Sequence, residues 1–131
     1  MAFDLQRCRD NFHQRAVIQD AAREALRLQT RDQAISTIRQ VIPAYPTITQ
    51  VYLFGSITQP SHFHRYSDID IAVAGTDAAA YFALWRDLEA AVSYWAIDLR
   101  EINQPGHFAD VVRQTGELVY ESPSRPAQSE H

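Results

Sequence analysis

The chain has 131 residues, 46% of them hydrophobic and 21% charged, with a formal charge of −4; this is the composition of one globular domain with room for a core. The acidic balance argues against a dedicated DNA-binding role, and no stretch approaches the roughly 20 apolar residues of a membrane span. All 12 basic residues are arginines; without lysine, a Walker A loop, a pyridoxal Schiff base and a lysyl-nucleotide intermediate are excluded.

Residues 3–42 read as helix, with Val17, Ala21, Ala25 and Leu28, then Ile35, Ile38 and Ile42, at helical spacing. Thr30-Arg31-Asp32-Gln33 resembles a capping box, which predicts one helix ending near Leu28 and a second starting near Arg31. The arginines of this arm alternate with acids, as on a solvated helix face, with a partner surface as the alternative. Pro43 and Pro46 end the arm. Gln50–Phe54 is a short apolar run stopped by Gly55, the pattern of a buried strand. Ile69–Ala74 is a second strand ending at Gly75. Thr76 is the expected cap of a helix over Asp77–Val92, with Tyr81, Leu84, Trp85 and Leu88 on its buried side. Tyr94–Ile102 reads as a third strand, Gly106–Thr115 as a short helix, and Glu117–Tyr120 as a last extended piece. From Ser122 onward the composition predicts disorder. The expected organisation is a helical arm over 1–46, an α+β domain over 47–121 with a small mixed sheet flanked by helices, and a disordered tail over 122–131. Met1–Arg7 lacks the pattern of a signal peptide and Cys8 is the only cysteine, so a cytoplasmic location is expected.

The chemistry concentrates in Phe54-Gly55-Ser56 and, after eleven residues, Asp68-Ile69-Asp70. Carboxylates two apart on a strand share a face. Without a cation they repel, whereas Mg²⁺ between them removes the penalty and completes its shell with substrate phosphates. A bare Asp-x-Asp is more often structural, with Asp68 ending a loop. A Gly-Ser directly after a strand changes the context, because glycine admits a phosphate close to the backbone and free N–H groups with the Ser56 hydroxyl form an anion site. Asp98, mid-strand, is the expected third carboxylate, a shared ligand or general base. Glu101 lies on the opposite face and competes for that place.

With these residues assembled, Val51–Val73 resembles the minimal nucleotidyltransferases of the polymerase-β-like superfamily, whose signature is Gly-Ser, a spacer, Asp-x-Asp and a later Asp. Phe108–Val112 through Gly116–Tyr120 is similar to that family's C-terminal helix and last strand, so the resemblance spans roughly residues 48–121. Two features depart from it: Ile57-Thr58-Gln59-Pro60-Ser61 lacks the glycine that often follows Gly-Ser, and Pro60 enters a slightly long spacer. His62 and His64 lie in that spacer, near where a triphosphate would sit, and Arg65 and Arg100 are candidate phosphate contacts or solvated arginines.

The resemblance implies a polymerase-β-like fold, two Mg²⁺ ions on Asp68, Asp70 and Asp98, and ATP at Gly55 and Ser56. The implied reaction is in-line attack of an acceptor on the α-phosphorus, with pyrophosphate leaving and no covalent enzyme intermediate. It also implies an acceptor. Many stand-alone relatives are antitoxins of a HEPN-type ribonuclease toxin, and some neutralise it by adding AMP to a tyrosine. The arm would then serve that helical partner or self-association. Two other readings stay open: a non-catalytic antitoxin that acts by binding, and a nucleotidyltransferase for a small molecule such as an aminoglycoside.

Overall fold

In the computed structural model, which describes residues 4–92 and 94–123, the first element is a single unbroken helix, α1 (Leu5–Val41). Asp4 caps it, its carboxylate accepting from the Arg7 N–H at 3.0 Å. The break expected near Thr30 does not occur. Thr30 is buried in the helix interior and the next residue, Arg31, is committed to an ion pair with Glu117, so tertiary contacts use the two residues that the local pattern assigns to a cap. Pro43 lies in a 3-10 turn (Ile42–Ala44) that closes the helix.

Four strands follow: β1 (Gln50–Phe54), β2 (Ile69–Ala74), β3 (Ile97–Glu101) and β4 (Glu117–Glu121), in the spatial order β3-β2-β1-β4. β1 is antiparallel to both β2 and β4, while β2 and β3 run parallel. The parallel pair needs a crossover, and α2 (Ala78–Ala91) supplies it. α3 (His107–Thr115) connects β3 to β4. The result is an α+β domain with a small mixed sheet, as expected.

Strand alternation divides the apolar residues into two layers. Val51, Leu53, Ile69, Ile71, Val73, Ile97 and Leu99 pack with Ala34, Ile38 and Ile42 and with Leu84 and Leu88 of α2. The opposite face packs Tyr52, Ala72, Ala74 and Ile102 against Ala109 and Val112 of α3. Both layers are filled, which is why β1 reads as a continuous apolar run. α1 therefore has two roles along its length. From Arg27 to Ile42 it contributes to the core, while residues 5–23 lie outside it, with Phe12, Val17 and Ile18 each about two-thirds exposed.

Several element ends differ from the sequence reading. Asp77, not Thr76, caps α2, accepting from the Ala80 N–H at 2.8 Å. Thr76 instead has a buried hydroxyl without a partner among the described residues, and Asn103 holds its backbone, Nδ2 donating to the Thr76 carbonyl at 2.6 Å. β3 begins at Ile97, because Trp95 closes a turn on the Val92 carbonyl at 3.1 Å and packs against Phe63 at 5.1 Å. The Ser122 N–H donates to the Thr49 carbonyl at 2.9 Å; residues 124–131 of the expected tail, and residue 3 of the expected helix, lie outside the described residues.

The two halves of α1 should respond differently to mutation. Ile38→Ala, which empties a fully buried site, is expected to cost about 2–5 kcal/mol in urea denaturation. Phe12→Ser should change stability by less than about 0.5 kcal/mol; equal effects would contradict this division of the helix.

Candidate active site

The strand register assembles the site. Phe54 of β1 pairs with Asp70 of β2, and Asp70 pairs in the parallel direction with Asp98 of β3. Partners in register point to the same face, so two carboxylates stand side by side at one end of the sheet. Asp68 immediately precedes β2 and is exposed. Gly55 follows β1 with φ +73°, and a Cβ built there would lie 2.2 Å from Asp70 Oδ2. Both constraints require glycine: the left-handed backbone and the absence of space over the carboxylate.

Gly55–Thr58 forms a 3-10 turn. Its first N–H groups, at Gly55 and Ser56, have no acceptor within the turn, as at any helix start. The Ile57 side chain is fully buried, and the Thr58 hydroxyl donates to the Gly55 carbonyl at 2.7 Å. The turn thus leaves backbone donors next to Asp70, an arrangement suited to a phosphate.

The electrostatics reflect this crowding. Partial burial of Asp70, reinforced by the neighbouring charges of Asp98 and Asp68 and opposed by Arg100, pushes its pKa from 3.8 up to about 6. Asp98 relieves its own charge by accepting from Arg100, Nε to Oδ1 at 3.0 Å, and the same guanidinium lies 5.9 Å from the Phe108 ring centroid. Among the described residues no three His, Cys, Asp or Glu side chains are gathered in metal-binding geometry. The donor chemistry nevertheless fits a hard cation: the oxygens of Asp68, Asp70 and Asp98 are all carboxylate, and a divalent ion would offset their mutual repulsion.

The structure brings together Gly55, Ser56, Asp68, Asp70 and Asp98. Glu101 is not part of the group; it accepts from Asn103 at 3.0 Å. His62 and His64 are exposed, and His64 Nδ1 accepts from the Tyr66 N–H at 3.3 Å within the same loop. Arg65 lies over the Tyr66 ring at 4.9 Å. Sequence reasoning missed Arg27, which donates to the Ile57 carbonyl at 3.0 Å. At helical spacing among other charged residues it carried no signal that would separate it from a solvated arginine.

The family profile for polymerase beta, nucleotidyltransferase, matches residues 36–125. Among solved structures, a chain of a toxin–antitoxin complex with AMP-PNP is 28% identical, with a TM-score of 0.57 over 67% of this chain and 73% of its own. A chain of an MntA–HpeT toxin–antitoxin mutant, with two Asp-to-Glu changes two positions apart, is 26% identical at the same TM-score of 0.57 and the same coverage, 67% and 73%. The tri-AMPylated Shewanella oneidensis HEPN toxin in complex with MNT antitoxin shares the fold, at 24% identity and TM-score 0.51 over 74% of this chain and 75% of that one. No curated protein matches the chain.

The crowding gives a stability prediction. A folded pKa raised to about 6 means that the fold favours protonated Asp70, so this stability is present below about pH 4 and is lost as the pH rises through about 6. Without divalent cations, Asp70→Asn should therefore match wild type near pH 4 and exceed it by about 1–2 kcal/mol at pH 7.5, after allowance for solvent screening. Mg²⁺ should raise the melting temperature of wild type and leave the variant unchanged. A variant less stable than wild type at pH 7.5 would show that carboxylate crowding is not the dominant interaction.

Proposed function

From the premise that this chain belongs to the polymerase-β nucleotidyltransferase family, we propose that it transfers AMP from ATP to a tyrosine of a HEPN-type ribonuclease toxin and thereby neutralises it. The observation that carries this reading is the juxtaposition of the Gly55-Ser56 turn with Asp70 and Asp98, set by strand register and by an Asp70 oxygen so close to Gly55 that a Cβ there would lie 2.2 Å from it. Toxin–antitoxin complexes at 26% and 28% identity support a protein partner, and AMP-PNP in one of them supports an adenine nucleotide as donor. The tyrosine acceptor follows from the family resemblance.

Each residue then has a role. Gly55 leaves room for the Asp70 carboxylate against the turn, and the Ser56 hydroxyl and N–H would donate to a phosphate. Asp68, Asp70 and Asp98 would hold Mg²⁺, two ions in the full reading, which when bound stabilises the charge developing on the attacking and departing oxygens. The acceptor oxygen forms a bond to the α-phosphorus as the bond to the β-phosphate oxygen breaks. Pyrophosphate leaves, and the acceptor proton passes to Asp98. Asp98 has its competing contact, Arg100, on the same strand and exposed to solvent, so the pair can part at little cost. No described helix is long and apolar enough to cross a membrane. The arm, with residues 5–23 free of the core, is the segment we assign to the toxin partner.

A binding-only antitoxin is the second reading, favoured by Arg100 engaging Asp98 in the folded chain. One experiment separates the two: incubation with ATP, Mg²⁺ and the partner ribonuclease, followed by intact mass and a ribonuclease assay. The expected result is a partner heavier by one or more AMP units and inactive. Asp70→Ala should reduce transfer by at least about a hundredfold. Gly55→Ala should do likewise, since its Cβ meets the Asp70 carboxylate. A variant that still neutralises the ribonuclease without a mass shift establishes the binding-only reading. Deleting residues 1–22 should leave the melting temperature within about 3 °C of wild type while abolishing co-purification with the partner.

A further inference from the structure

The Gly55–Thr58 turn is fastened by residues distant in sequence. The Ile57 carbonyl accepts from Arg27 Nη1 at 3.0 Å, across 30 residues. Arg27 is 8% exposed, the one arginine buried among the described residues. A guanidinium so placed needs its charge and its donors satisfied. Its Nε donates to Glu24 Oε1 at 2.9 Å and its Nη2 to Glu24 Oε2, one helical turn back. One edge of the planar group is therefore held by Glu24, and a remaining donor reaches the loop. Lysine, with a single ammonium on a flexible stem, cannot reproduce this division. Glu24 also faces the far end of the loop: Arg27 holds its carboxyl below the usual carboxylate range, and the Ser61 N–H adds to the effect.

We propose that Arg27, anchored by Glu24, is a positioning residue for the phosphate-binding turn. By fixing the Ile57 carbonyl it directs the free donors of Gly55 and Ser56 toward the nucleotide; the proposal rests on the nucleotidyl-transfer reading of the site. The spacer contains Pro60 where relatives often have a glycine nearby, and to its local hydrogen bonds α1 adds a contact from outside the loop. The hydrogen-bond partners of Arg27 are Glu24 and the Ile57 carbonyl, not Asp68, Asp70 or Asp98, so its effect belongs to nucleotide binding and not to the chemical step.

The test uses the full chain and its Arg27→Lys and Glu24→Gln variants. Each is titrated with ATP in the presence of Mg²⁺ by calorimetry and followed by thermal unfolding and by hydrogen exchange over 55–61. Arg27→Lys keeps the charge but loses the bridge. It should bind ATP about tenfold more weakly, with a melting temperature within about 5 °C of wild type and faster exchange confined to the loop. In AMP transfer the loss should appear in KM for ATP, with kcat within about twofold.

Unchanged ATP affinity in Arg27→Lys overturns the proposal. So does weaker binding accompanied by faster exchange throughout β1 and β2, which marks a general structural role. If Arg27→Lys does not fold, Glu24→Gln decides: it should weaken ATP binding about threefold, and wild-type affinity there overturns the proposal. A wild-type chain that binds no ATP defeats the nucleotidyl-transfer reading instead. The brace is then judged by exchange alone: a loop protected in wild type and open in the variant upholds it, and equal exchange sinks it.

Discussion

Like-charge crowding at one end of the sheet is the constraint around which the site is organised. The parallel register of β2 and β3 places Asp70 beside Asp98, and burial with two carboxylate neighbours raises Asp70 to about 6. Such an arrangement is costly for folding. It persists because the surrounding structure leaves little freedom to relieve it: Ile69, Ile71, Ile97 and Leu99 are almost completely buried on the opposite face, and a one-residue slip would take them all out of that layer and put the aspartates in it. The core thus sets the register, and the register sets the carboxylates. Arg100 partly neutralises Asp98, but from an exposed position where screening keeps the pair weak. The remaining charge deficit is what a divalent cation would satisfy.

The second constraint is the close approach of β1's end to β2. Gly55 combines a left-handed backbone with an Asp70 oxygen where a side chain would be, so the phosphate turn and the carboxylates are one geometric unit. Distant contacts order that unit. Ile57 fills the core, Thr58 closes the turn locally and Arg27 reaches the Ile57 carbonyl from α1. α1 itself pairs with the last strand through Arg31 and Glu117. Most of the stability of a protein helix comes from tertiary packing, and in this helix of 37 residues the packing is confined to the second half. The exposed half carries Leu5, Phe12, Val17 and Ile18 among charges of both signs, which distinguishes it from the packed half in chemistry as well as in position.

Much of this was legible from the chain. The β1 and β2 boundaries, α2 within a residue or so, and the α+β class followed from periodicity and from glycine and proline punctuation. The pairing of Asp68 with Asp70 followed from strand parity, since side chains two apart share a face whatever the neighbours are, and the family resemblance added Gly55-Ser56 and Asp98 to that pair as expectations. The errors have two origins, tertiary contacts and local competition between neighbours. Thr30 and Arg31 look like the start of a helix only when their tertiary partners are ignored, and Thr76 looks like a cap because the competing Asp77 lies next to it. Tyr94–Ala96 has strand-like composition but turns to pack Trp95 on Phe63.

The sequence by itself therefore determined the local inventory: no lysine, one Gly-Ser turn, one Asp-x-Asp, a later aspartate and a helical arm, together with the acidic, phosphate-directed chemistry that these permit. Only the tertiary structure decided which aspartate stands beside Asp70, that Arg100 rather than solvent meets Asp98, and that Arg27 serves the phosphate turn. The physical reason is range. Propensity and side-chain parity act over a few residues, whereas the charge of Asp98 beside Asp70 and the reach of Arg27 to Ile57 depend on packing between segments 28 and 30 residues apart.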